Sequence, residues 1–98
     1  MPMYAIMRRS VVTTREELDV AGERSNHARE VEMDGRLRWI RSYFFHESDG
    51  TIGSICIYEA EGPDDVREHA RRANISADEI LPVFESVVNR PDPQPATV

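Results

Sequence analysis

Ninety-eight residues, 40% of them hydrophobic, fit one domain with a single modest core and are too few for two. The net charge of −6 argues against nucleic acid or an anionic membrane surface as partner, since both call for a basic stripe. No run approaches the roughly 18 apolar residues of a membrane span, MPMYAIMRRS lacks the order of a signal peptide, and a single cysteine excludes an internal disulfide and fits a reducing cytoplasm.

Met3–Arg9 is short, apolar and free of Gly and Pro, which predicts a buried strand ending in charge. Pro2 ahead of it matches the catalytic base of tautomerases, but the rest of the chain does not, and an aid to methionine removal is the plainer explanation. Thr14-Arg15-Glu16-Glu17 forms a capping box. The helix after it places Leu18, Ala21, Ser25, Ala28 and Val31 on one stripe, and Gly35 suits the left-handed position past its end. His27 borders the charged face and reads as a surface residue.

Leu37–His46 and Thr51–Glu59 read as a hairpin closed at Asp49-Gly50, a favoured pair for a two-residue type I′ turn. That turn sets Phe44 opposite Ile55, Tyr43 opposite Cys56 and Arg41 opposite Tyr58. Alternation then separates an aliphatic face (Ile40, Phe44, Ile55, Ile57), suited to lie under helices, from an aromatic and polar one. The second face holds Trp39, Arg41, Tyr43 and Phe45 against Ser54, Cys56 and Tyr58, and it calls for a partner or a ligand. Gly62-Pro63-Asp64-Asp65 opens a second helix with Val66, His69, Ala70 and Ala73 inward. Ser76 and Glu79 suit the cap of a short turn, and Leu81–Val88 reads as an edge strand because of Pro82. Residues 89–98 are proline-rich with little to bury, and disorder is expected there.

The order strand, helix, strand, strand, helix, strand is the α+β, ferredoxin-like βαββαβ arrangement, with both helices on one face of a four-stranded antiparallel sheet. Residues 1–88 make the domain. Two bare sheet faces pressed together would close a dimeric α/β barrel, with Trp39, Arg41 and Phe45 lining its interior.

No C-x-x-C, H-x-H or H-E-x-x-H spacing is present. Cys56 is the sharpest metal-ligand candidate, because a thiolate binds borderline divalent ions strongly. The plain alternative is a cysteine buried as a small hydrophobe, and its neighbours Tyr43, Tyr58 and Arg41 weigh against that. His69 is the second candidate, against a helix histidine that merely donates to a carboxylate such as Glu59. His46, with Glu47 and Asp49 at the hairpin tip, is a third donor cluster, with a solvated loop as its plainer explanation.

The pattern Trp39-x-x-Ser42-Tyr43, Cys56-x-Tyr58-Glu59-Ala60 and His69-Ala70-x-x-Ala73 resembles a bacterial family of small nickel-binding proteins, formerly a domain of unknown function. The resemblance runs from Met3 to about Val88. It implies a ferredoxin-like fold paired into a dimeric α/β barrel, Ni²⁺ as the bound ion, and a role in metal storage or buffering without an established reaction. The candidate metal ligands that this chain offers are Cys56, His69, Glu59, Tyr58, Tyr43 and His46, with no catalytic residue expected. Asn74 stands where the family often has Gly, and it tolerates the same left-handed conformation. In the type I′ register Cys56 faces away from the helices and His69 toward the sheet. Two separate sites are therefore expected, unless the register is shifted by one residue. The rival reading is a cofactor-independent oxygenase, isomerase or cyclase with an aromatic-lined pocket.

Overall fold

The computed structural model describes residues 1–94. Its elements are β1 (Met3–Val12), α1 (Arg15–His27), a π-helical turn (Ala28–Glu32), β2 (Leu37–His46), β3 (Ile52–Ala60), α2 (Pro63–Ala73) and β4 (Glu79–Val83). The four strands form one antiparallel sheet in the order β2-β3-β1-β4, the ferredoxin-like topology.

Local signals act as the residue types dictate. Thr14 caps α1: its hydroxyl accepts from the Glu17 amide at 3.1 Å, while the Glu17 carboxylate accepts from the Thr14 amide. Gly62 and Pro63 open α2, and Asn74 closes it at φ +54°. Val66, His69, Ala70 and Ala73 are all buried, as their spacing predicts. The inward stripe of α1 holds at Ala21 and Ala28 but fails at Val31, which is exposed. The π-helical turn inserts an i→i+5 bond, Met33 amide to Ala28 carbonyl at 2.9 Å, and changes the phase of the helix. Met33 takes the inward place that Val31 loses, and Arg29 is carried under the helix.

The hairpin register departs from the type I′ expectation. The Glu47 amide bonds the Thr51 carbonyl at 2.8 Å, so Ser48, Asp49 and Gly50 form a three-residue loop with Gly50 at φ +88°. One extra loop residue slides the pairing by one: Tyr43 lies opposite Ile55, and Ser42 opposite Cys56. A one-residue slip turns every side chain of the slipped strand over. The register shifts again between Trp39 and Arg41, leaving Ile40 as the extra residue and setting Trp39 opposite Tyr58.

Tyr4, Ile6 and Arg8 of β1 and Ser54, Cys56 and Tyr58 of β3 therefore face the helices and are buried. Leu37, Trp39, Ser42 and Phe44 of β2 join them on that side. Ile6, Leu37 and Val66 anchor the core with Cys56 and Tyr58, and each fully buried aliphatic contributes roughly 2 kcal/mol. The other face carries Met3, Ala5, Met7, Ile55, Ile57 and Leu81 with Arg41, Tyr43 and Phe45, and among the described residues no helix packs on it, although Asp92 reaches its Arg41 and Tyr43. Relative to the sequence expectation, the β3 side chains and Trp39 have changed face, with Ile55 and Ile57 now outward and Ser54, Cys56 and Tyr58 inward, while Phe44 stays on the helix side and Arg41, Tyr43 and Phe45 stay on the uncovered one.

β4 is an edge strand, as Pro82 indicates, but it starts at Glu79, so Ser76 and Glu79 cap no helical turn. It also ends at Val83, and Phe84, Val87 and Val88 are exposed. Residues 84–94 form neither helix nor strand, and Asp92 returns to accept from the Tyr43 hydroxyl at 3.0 Å. The rest of the 89–98 segment lies outside the described residues. Among those residues no helix is long and apolar enough to cross a membrane.

Candidate functional site

Between α1 and the helix-covered side of the sheet lies a cleft of about 560 Å³. Its floor is Cys56, Ser54 and Tyr58 of β3 with Arg8 of β1. Trp39, Ser42 and Phe44 of β2 form one wall. Leu18, Ala21, Ser25 and Arg29 close it from the helix side. The strands supply these residues because the three-residue loop and the shift at Ile40 turn them to this face.

Cys56 is 5% exposed, with its Sγ 3.5 Å from the Ser54 hydroxyl. His69 is fully buried on α2, and its ring lies 5.4 Å from that of Tyr58, centroid to centroid. Its Nε2 is 3.1 Å from the Ser25 hydroxyl and 3.2 Å from the Ser25 carbonyl; the carbonyl only accepts, and the tautomer that satisfies it has the proton on Nε2. Nδ1 is then a lone pair, and it has no hydrogen-bond partner among the described residues. Burial, followed by the charges of Arg8 and Arg29, lowers the His69 pKa to about 4, so the ring is neutral at pH 7. Burial raises Tyr58, and the charge of Cys56 adds to it, against opposing effects of Arg8 and Ser25.

The slip brings Cys56, Tyr58 and His69 to one side of the sheet and removes the reason to expect two sites. Tyr58 is the next residue after Cys56 on that face, about 7 Å along the strand. Glu59, Tyr43, Arg41 and Phe45 lie on the other face and share no cavity with them. His69 accordingly bonds Ser25 and not Glu59. Trp39 lines the cleft on the helix side and not the interior of a barrel.

His46 sits at the far end of β2. Its neighbours are taken up by the turn: Glu47 pairs with Arg9 at 2.6 Å and Asp49 accepts from the Thr51 hydroxyl at 2.6 Å. Those bonds hold both carboxyls below their ordinary values, led by the Ser10 amide at Glu47 and the Thr51 hydroxyl at Asp49. Among the described residues no three His, Cys, Asp or Glu side chains converge as a metal site.

Three contributors escaped the sequence reading. Arg8 is 2% exposed, yet Arg8-Arg9 reads as the charged end of a strand; its even spacing from Tyr4 and Ile6 is the signal that places it inward. Arg29 is 6% exposed, and its guanidinium lies 5.5 Å from the Trp39 ring centroid. Ser25 was expected to be inward, but nothing in the sequence marks it as the partner of His69.

Topology and cleft define a small ferredoxin-like α+β protein with a buried cysteine and two arginines lining one cavity, and a neutral histidine packed beside Tyr58. The chain belongs to the SCO4226-like family: that family's model, described as nickel responsive protein SCO4226-like, matches residues 4–83. It is similar to a solved structure described as the crystal structure of SCO4226 from Streptomyces coelicolor A3(2). The two share 26% identity with a TM-score of 0.67, over 87% of this chain and 99% of that one. No curated protein matches it.

Proposed function

We propose that this protein binds a divalent transition metal, nickel first, and serves to buffer or sequester it in a reducing cytoplasm. Its family is described as nickel responsive. The observation that carries the reading is His69: a buried, neutral imidazole whose Nδ1 lone pair has no partner, on the same side of the sheet as the single cysteine. An orphaned buried acceptor costs free energy, and a metal ion relieves that cost.

Imidazole and thiolate both suit nickel, and binding takes up Cys56 as its thiolate with release of a proton. Two protein donors leave coordination positions to the Tyr58 hydroxyl and to water. Arg8 and Arg29 oppose a bare dication in the cleft, so the thiolate charge is needed for binding. Metal titration of Cys56→Ser and His69→Gln tests the assignment: loss of affinity in both supports it, and unchanged affinity in both removes it.

Pairing into a dimeric α/β barrel belongs to the same proposal. The uncovered face, with Met3, Met7, Ile55, Ile57 and Leu81, is apolar enough to call for a second copy. The alternative of a cofactor-independent oxygenase, isomerase or cyclase draws on the aromatic wall of the cleft. Tyr58 and Cys56 are its candidates for proton exchange in the cleft floor.

A further inference from the structure

Arg8 is the anomaly of this molecule. Its side chain is buried in the cleft floor, where Nη1 donates to the Ser76 carbonyl and Nη2 has no partner among the described residues. It takes part in none of the ion pairs among the described residues, whereas Arg29, the other buried arginine, meets Glu30 at 3.1 Å and Asn26 at 2.8 Å. A guanidinium does not escape by losing its proton. An unpaired buried charge is costly, and a ligand that supplies the counter-charge relieves that cost.

The cavity around it has the dimensions of a small-molecule site, and its lining is two-sided in chemistry. Trp39, Phe44 and Tyr58 offer flat apolar contact, while Arg8 offers its unpartnered Nη2 beside an Nη1 that uses one of its two protons on Ser76. Arg29, held against Trp39, adds a second positive charge at the same wall. Exposed Asp19 and Glu23 border the cleft on α1 and repel a ligand that carries a second negative group at its outer end.

We propose that the cleft binds a small organic acid with one carboxylate, the carboxylate against Arg8 and a ring or aliphatic body against Trp39, Phe44 and Tyr58. A planar carboxylate takes two parallel bonds from a guanidinium, which a single neutral acceptor cannot do. The acid site shares Tyr58 and the cleft with the proposed metal but needs no metal of its own, so metal-stripped protein is expected to bind the acid.

The test uses benzoate and its neutral isostere benzamide, titrated into the metal-stripped chain while following the emission of Trp39, the single tryptophan, and the melting temperature. Benzoate is expected to saturate at millimolar concentration or below and to raise the melting temperature, with benzamide at least about tenfold weaker. Arg8→Met is expected to abolish the preference for the acid and to melt higher than wild type when ligand-free, since it removes an unpaired buried charge. Equal binding of acid and amide, or no saturable response to benzoate up to about 10 mM, overturns the proposal. So does an Arg8→Met protein that retains the preference. Should that variant fail to fold, the acid–amide comparison on wild type decides alone.

Discussion

Lowering the pH from 7 to 5 is expected to cost the fold about 2 kcal/mol through His69 alone. The ring titrates at about 4 in the folded chain, against an ordinary 6.5, because it is buried and faces Arg8 and Arg29. The folded value is the lower one. As pH falls through 6.5, the unfolded chain takes up a proton that the folded chain refuses until about 4. Stability from this group is therefore complete above 6.5 and is lost between 6.5 and 4, reaching about 3 kcal/mol for a difference of this size.

Glu17, Glu32, Glu47, Glu68 and Asp49 are held below their ordinary values, chiefly by hydrogen bonds, so their contributions fall away at more acid pH. The interval from pH 7 to 5 isolates the histidine. Urea unfolding followed by circular dichroism, at one protein concentration and both pH values, measures the loss for wild type and for His69→Gln. His27 and His46 are exposed and present in both proteins, so their effects cancel in the comparison. Wild type should lose about 2 kcal/mol and the variant a small fraction of it. Equal losses would refute a buried, neutral His69.

Other perturbations follow from particular contacts. Ser42→Cys, oxidised, should cross-link to Cys56 with a mass loss of two hydrogens while Tyr43→Cys should not, because the register pairs Ser42 with Cys56; the reverse result would restore the type I′ register. Thr14→Ala should cost about 1 kcal/mol in chemical denaturation by removing the cap of α1. Gly53→Ala should cost about 1–3 kcal/mol by the same measurement, because a Cβ there would lie 2.7 Å from a Glu47 carboxylate oxygen and 2.8 Å from the Phe45 ring. If the proposed pairing holds, wild type sediments as a dimer and Ile57→Lys on the uncovered face as a monomer, with little change in helix content; a monomeric wild type refutes the pairing.

The fold was legible where chemistry is local. Thr14 with Glu17, Gly62-Pro63 and Asn74 mark helix ends by what their own side chains and backbones can do, and they mark them correctly. The site was less legible because it rests on one residue of register. Asp49-Gly50 serves a two-residue turn and a three-residue turn with Gly left-handed equally well, and the two place Cys56 on opposite faces. The choice is made by distant contacts: Glu47 at the loop pairs with Arg9 and the Ser10 amide of β1. The extra residue at Ile40 and the π-helical turn at Arg29 likewise leave no local sequence signal, since each is fixed by packing across the cleft.

The most direct test of the metal reading is calorimetric titration of Ni²⁺ into metal-stripped, tag-free wild type, Cys56→Ser and His69→Gln. One site per chain at micromolar affinity or tighter, weakened at least about 100-fold in each variant, is the predicted result. Nickel binding that survives both substitutions, or no binding below millimolar in wild type, would contradict it.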